Sequence, residues 1–335
     1  MQTSGTTAGL RGIHAVGGGV AWASGTNGTV LRTEDGGYVW QRCALPPNAE
    51  KLDFRGIWAW DANTAMVMSS GPGDLSRIYK TTDGCAHWKL AMTNPDKDGF
   101  WDAMVFSDQN RGFLLGDPVD GRFVLFFTLD GGRTWDRVNT KSLDAGKTKI
   151  GVFAASNSAM ILDGSGLPMF GTSGPDGPWL YMPDLECTML NAARNFAECL
   201  SGLRFERQRL PMAGDSASSG IFALAESGWD LTAVGGDYTK PNDMSGTAAA
   251  ITAWDGLARA WVAAAKPPHG YRSAVAWDEA DDAWIAVGPN GSDISYDGKT
   301  WVPLDNGNWN ALSLPWVVGP QGRIAKLDAA KLPKK

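Results

Sequence analysis

Histidine is almost missing from this chain of 335 residues, which carries only His14, His87 and His269. No two of them stand four apart, so the spacing of a zinc site is not there and no metal centre is expected. An excess of positive charge is missing too. Thirty Lys and Arg face 36 Asp and Glu, for a formal net charge of −6, which argues against nucleic acid or an anionic membrane as partner. No apolar run approaches the ~20 residues of a membrane span, and residues 1–20 hold no signal-peptide core. The single basic cluster, KLPKK at 331–335, reads as a solvated tail within 329–335. No Gly-x-Gly-x-x-Gly follows a strand pattern and no Gly-x-Ser-x-Gly is present, so neither a dinucleotide cofactor nor a serine nucleophile elbow is expected. No cofactor of any kind is expected.

What the chain has in quantity is glycine and tryptophan, 42 and 16 residues, and one phrase that returns. It reads TEDGGYVW at 33–40, TTDGCAHW at 81–88, TLDGGRTW at 128–135 and SYDGKTW at 295–301, with a looser copy, AWDGLARAW, at 253–261. The pairs are Asp35 and Trp40, Asp83 and Trp88, Asp130 and Trp135, Asp255 and Trp261, and Asp297 and Trp301. Self-similarity at such a period marks a repeat architecture. The chemistry is that of a hairpin clasp. The Asp accepts hydrogen bonds from backbone N–H groups a few residues on. The Gly supplies a positive φ, and the Trp opens the next strand and packs. These Asp and Trp residues are expected to be structural.

The phrase resembles the Asp box of bacterial-neuraminidase-repeat and sialidase-like propellers. Aligned on it, the chain divides into seven units. They open at 10–16, 54–61, 101–108, about 152, 219–226, 271–278 and 309. The fourth is degraded: Leu200 and Phe205 stand where Asp and Trp should, and residues 175–190 are inserted before its third strand. The seventh supplies three strands, so residues 1–5 are expected to pair with the strand around 322–328 and close the ring. The fold expected is therefore all-β, one seven-bladed propeller over 1–335 with four-stranded antiparallel blades.

The segments SGTTAGLRGI (4–13), RGFLLGDPVDGRF (111–123), TLDGGRTW (128–135), SGIFAL (219–224) and VGGDYTKP (234–241) make the chain similar to the photosystem II stability/assembly-factor-like propellers. That resemblance covers nearly the whole chain. It implies a seven-bladed scaffold that holds a protein or peptide partner, export to the periplasm or outside the cell, and no enzymatic activity. The chain is expected to act as a monomer. The rival reading is a sialidase-like glycoside hydrolase or a glycan-binding propeller. Against it, FRGI at 54–57 lacks the proline of the sialidase Phe/Tyr-Arg-Ile-Pro signature, and sialidases have six blades.

Propeller topology puts the b-to-c and d-to-a connections on one face and the clasps on the other. The residue opening strand a is Arg11, Arg55, Asp102, Ser219, Arg272 or Asn310 in six of the units. The b-to-c segments GDPVDGR (116–122) and GGDYTKPND (235–243) are unusually charged, and the 175–190 insertion reads as b-to-c as well. A binding face built from Arg11, Arg55, Asp102, Asp117, Asp120, Arg122, Asp237, Tyr238, Lys240 and Arg272 follows, since loops on a rigid scaffold are where function sits. Asp117, Asp120 and Asp237 are the only grouping that could share a hard cation such as calcium. Arg55 and Asp102 could equally form an ion pair between blades. For Cys43, Cys85, Cys187 and Cys199 free buried thiols are the default expectation, while export would permit pairing, and Cys43 and Cys85 both fall near the clasp face of adjacent blades.

Overall fold

In the computed structural model, which describes residues 1–146, 150–184, 196–251 and 260–333, the strands form seven sheets. Six have four antiparallel strands in sequential order and the seventh has three. Blade one runs Leu10–Gly17, Val20–Gly25, Val30–Thr33 and Gln41–Arg42. The innermost strands of the others are Phe54–Ala59, Trp101–Phe106, Met160–Leu162, Ser219–Ser227, Ala274–Asp278 and Ala311–Ser313. The second strands read as continuous apolar runs, Ala65–Ser69 and Ala283–Gly288 being buried at every position. Each is covered on both sides by neighbouring blades, which removes the polar alternation of a one-faced strand.

The ring closes at its N-terminus. Gln2 N–H donates to Ile324 O at 2.8 Å, an antiparallel bridge onto the third strand of blade seven. The side chain of Gln2 accepts from Trp40 Nε1 at 2.8 Å, so the first clasp Trp pins the closing segment. The tail is held as well: Leu332 packs against the outer core of blade six, and Pro333 O accepts from the Tyr296 hydroxyl.

The clasps show a relay that the Asp alone does not explain. In TEDGGYVW the Thr33 hydroxyl donates to Asp35 Oδ1 at 2.8 Å and accepts from Gly37 N–H at 2.9 Å, while Val39 N–H donates to the same Asp oxygen at 3.0 Å. Thr81 with Asp83 and Thr128 with Asp130 repeat this geometry. In blade six Ser295 donates to Asp297, which accepts from Lys299 and Thr300 N–H. Thus the leading Ser/Thr is as much a part of the motif as the Asp. Asp255 lies outside the described residues. The clasp tryptophans 40, 88, 261 and 301 are buried, whereas Trp135 is only partly so.

Three expectations are corrected. Strand c of blade four is Trp179–Pro183, and strand d is Phe205–Arg209. The long segment of that blade therefore connects c to d, on the clasp face, and its b-to-c turn is short. Pro175 and Pro178 belong to that turn and Pro183 ends strand c, so the prolines punctuate a strand rather than fill a loop. Residues of ECLSGLRF do not form a clasp, because Phe196–Gly202 is an α-helix. Phe205 nonetheless takes the place of the clasp Trp, buried against Phe170 with ring centroids 6.0 Å apart. The described cysteines are not free, Cys187 lying outside the described residues. Cys43 and Cys85 are disulfide-bonded with Cα atoms 5.3 Å apart, and Cys199 is also in a disulfide. Cys85 occupies the positive-φ position (66°) that Gly37 and Gly132 fill in other clasps. There it meets the end of blade one, where Ala44 N–H donates to Cys85 O at 3.2 Å.

Truncation of the clasp tryptophans grades with this burial. Trp301→Ala removes a fully buried indole and should cost about 3–5 kcal/mol, read from urea unfolding. Trp135→Ala should cost clearly less, and equal losses would contradict the packing.

Candidate binding face

The charged ring at strand a has a backbone cause. The register between strands a and b slips at Arg11 in blade one, at Arg55 in blade two, at Asp102 in blade three and at Phe222 in blade five. Each of these residues is the extra one of a β-bulge, and a bulge re-aims a side chain out of the regular alternation. Arg11 and Arg55 share a single carboxylate. Arg55 Nε donates to Asp53 Oδ2 at 2.9 Å, and Arg11 Nε stands 3.7 Å from Asp53 Oδ1. Both guanidiniums keep about a third of their side-chain surface exposed.

In blade four the strand that should line the axis is absent before Met160. The segment from Val152 to Ser158 instead contacts four other blades. Arg55 Nη1 donates to Ala154 O at 3.1 Å, and Val152 N–H donates to Asp117 Oδ1 at 2.9 Å. Asn157 exchanges hydrogen bonds of 2.8 Å with both the N–H and the O of Met104, and Ser156 Oγ donates to Ser273 O at 2.7 Å. Leu224 N–H donates to Ser158 O. The ring is tied further by Ser273 Oγ to Asn310 O at 2.8 Å and Asn310 Nδ2 to Leu10 O at 2.7 Å.

Beside the arginines stands an aromatic step. Phe153 stacks on Phe222 with centroids 3.6 Å apart, and Tyr271 meets Phe222 edge-on at 4.6 Å. Tyr238 stands perpendicular to Phe153 at 6.0 Å and to Phe222 at 6.3 Å. Tyr238 is 53% exposed, whereas Phe222 and Tyr271 are buried. Burial pushes the Tyr271 phenol far up its range, and Arg11 and Arg55 are near enough to oppose that shift. The step and the arginine pair are joined by geometry, since the carbonyl that Arg55 grips belongs to Ala154, the residue after Phe153.

The carboxyls behave differently from one another. Asp102 is wholly buried and neither of its oxygens has a hydrogen-bond partner. Burial, then the nearby Asp117, raise it well above the usual carboxylate range against the pull of Arg55. Asp117 is raised by burial too, although Val152 N–H favours its charge. It lines a cleft between blades three and four with Phe100, Pro118, Gly151 and Phe153. Asp237 is mostly buried and paired within its own loop, accepting from Thr239 at 2.6 Å and facing Lys240 at 3.8 Å. Asp120 and Arg122 are exposed and line a separate cleft with Arg137 and Leu143. Arg272 is fully buried and paired with Asp293, also fully buried, so its guanidinium does not reach the surface. Arg11, Arg55, Asp102, Asp117 and Tyr238 are therefore brought together. Arg272 lies beneath them, while Asp120 and Arg122 stand apart.

Sequence reasoning missed Phe153, Phe222 and Tyr271. Phe153 and Phe222 sit in apolar strand-like runs where an aromatic residue gives no functional signal. Among the described residues no group of three His, Cys, Asp or Glu side chains is placed to hold a metal. His14 packs against Trp58 with the rings tilted and their centroids 4.3 Å apart, and burial lowers it to about 4, so it is a neutral packing group.

The site sits on a seven-bladed β-propeller whose loop face carries charge and aromatic surface at the axis. No family model matches the chain, and no curated protein matches it in sequence. Among solved structures it is similar to YCF48 bound to D1 peptide, with TM-score 0.64, 14% identity, and 97% of this chain and 94% of that one covered. YCF48 from Cyanidioschyzon merolae gives TM-score 0.58 at 17% identity, with 95% of each chain covered. An ancestral GH74 enzyme gives 0.57 at 14% identity, covering 95% of this chain and 41% of that one. The photosystem II assembly propellers that the sequence resembles thus share this fold.

Asp102 fixes a pH dependence with a definite sign. Its folded-state affinity for the proton exceeds its unfolded one, so above about pH 4 the folded state holds a proton that the unfolded state releases. Stability should fall as pH rises from about 4 toward Asp102's raised folded-state range. Asp102→Asn should flatten that decline in thermal melts from pH 4 to 8, and an unchanged slope would refute the buried acid.

Proposed function

We propose that this propeller is a non-enzymatic scaffold that holds a peptide segment of another protein on its b-to-c face, through an acidic group seated between Arg11 and Arg55. The observation that carries the reading is the charge count at the axis: two guanidiniums share the one carboxylate of Asp53 and neither is ion-paired with the buried Asp102, whose ionisation burial disfavours. A half-exposed, incompletely neutralised arginine pair favours a carboxylate, and a charge-assisted hydrogen bond from Arg is the strongest single contact such a face offers. The shared fold with YCF48, a structure of which holds D1 peptide, supports a peptide as the partner class. A site of action in the periplasm or outside the cell fits the same reading, since the Cys43–Cys85 disulfide persists only in an oxidising compartment.

The hydrolase alternative finds less support. It would draw on an arginine cluster of Arg11, Arg55 and Arg272, yet Arg272 is fully buried and paired with Asp293, and the blades number seven rather than the six of sialidases.

Arg11 is the cleaner residue to test, because Arg55 also anchors Ala154. Arg11→Ala should weaken binding of an acidic peptide such as acetyl-Gly-Asp-Phe-Gly-amide by roughly 10-fold, the scale of one charge-assisted hydrogen bond. The melting temperature should stay within about 2 °C. Titration calorimetry at 50 and 300 mM salt should show the affinity falling with ionic strength. Binding that ignores both the substitution and the salt would overturn the reading.

A further inference from the structure

The aromatic step beside the arginines has surface to spare, and a buried hydrogen-bond cluster sets its height. Tyr238 opens the b-to-c loop of blade five, which continues through Thr239, Lys240, Pro241 and Asn242. That loop is gripped from blade six. Tyr271 N–H donates to Pro241 O at 3.0 Å. Asn290 Nδ2 donates to Pro241 O at 3.0 Å, to Asn242 Oδ1 at 3.1 Å and to His269 O at 3.1 Å. Its Oδ1 accepts from Arg272 Nη1 at 2.6 Å. Arg272 is held in turn by the buried Asp293, and Asp293 also accepts from the backbone N–H of His269 at 3.2 Å. Gly270, at φ 155°, runs so close that a Cβ there would strike Pro241 O and Asn290 Nδ2. The loop is therefore fixed by side chains whose hydrogen bonds are satisfied, at the point where it presents Tyr238.

We infer that Tyr238 and Phe153 form a subsite for an aromatic side chain that flanks the acidic residue seated on Arg11 and Arg55, and that Asn290 is the positioning residue of this subsite. The inference rests on the function proposed above and adds the second element that the face reads. Tyr238 is half-exposed and its ring stands perpendicular to Phe153, so about half of its surface is left for a third ring. Offset and edge-to-face packing of aromatic rings contributes about 0.5–1.5 kcal/mol beyond the area buried. The charge complementarity of the neighbouring arginines fixes the acidic neighbour, and the hydrogen bond from Arg55 to Ala154 O, one residue beyond Phe153, joins the two halves. Tyr238 is a contact residue here. Asn290 acts only through the loop.

Four peptides separate the elements: acetyl-Gly-Asp-Phe-Gly-amide, its Phe→Ala and Asp→Asn forms, and the doubly substituted one. Titrated into the full chain, the Asp-Phe peptide should bind about 3- to 10-fold tighter than the Asp-Ala peptide. Tyr238→Ala should abolish that difference, and Tyr238→Phe should retain it. Asn290→Asp keeps the acceptor for Arg272 but loses the donors to Pro241, Asn242 and His269. It should shrink the Phe-dependent difference, leave the Asp-dependent one intact, and raise amide exchange at Lys240 and Tyr271. If Asp matters and Phe does not, the subsite is refuted while the scaffold reading stands. If neither matters, both fail. If Tyr238→Ala removes the Phe preference but Asn290→Asp does not, the positioning role is refuted.

Discussion

The site depends on one displacement: residues 152–158 of blade four leave their sheet and cross to the neighbours of the axis. That segment gives Ala154 O to Arg55, Val152 N–H to Asp117, Asn157 to Met104 and Ser156 to Ser273. Backbone polar groups moved away from a sheet must find partners elsewhere or cost the free energy of an unmade hydrogen bond. Here those partners come from four other blades, so the irregular segment stitches the ring where a regular strand would have touched only its neighbours. It also delivers Phe153 to the aromatic step. A straight strand a in blade four would leave Arg55 without its carbonyl partner and Phe222 without its stacking partner.

The bulges act with this displacement. A regular strand alternates its side chains between two faces, so a charge at the start of strand a would sit within the packing between blades. One extra residue in blades one, two, three and five breaks the alternation at the same height in each. Chemistry then varies from blade to blade at a constant backbone position: two arginines, an acid and a phenylalanine. Asp102 shows the cost of such a position where no partner is provided, since a buried carboxyl without side-chain partners holds its proton more tightly than an exposed one.

Much of the fold was legible because the clasp is local. Thr, Asp, Gly and Trp interact within eight residues, so a single window of sequence contains the whole motif, and five windows set the blade period. Blade four was misread for the same reason: it has no clasp, and WLYMP between prolines looks like loop when only its neighbours in sequence are considered. The arginines 11 and 55 were found by their charge in apolar surroundings, although the bulge that exposes them is a matter of cross-strand register. Arg272 has the same sequence signature and a different fate. Its partner Asp293 lies 21 residues on, in strand c of its own blade, and that distance is what single-sequence reading does not bridge. The disulfide was hidden likewise, because Cys43 and Cys85 meet through the packing of two blades, 42 residues apart.

The two faces divide stability from recognition. On the clasp face each described clasp Asp has its charge satisfied by backbone N–H groups and a hydroxyl. For Asp83 the N–H and ring of His87 lead, and for Asp130 the hydrogen bonds led by Thr134 outweigh burial, so both carboxyls are held down at about 2. Such groups have no unfilled demand and offer a partner little. On the opposite face the accounts do not close locally: two guanidiniums share one carboxylate, one acid has no partner, and a tyrosine ring stands half out of its stack. Polar groups left incompletely matched in a folded protein are tolerated where binding completes them. Because the clasps, the disulfide and the closing N-terminal bridge hold the ring independently of the axis, the loop face can carry that mismatch without endangering the fold.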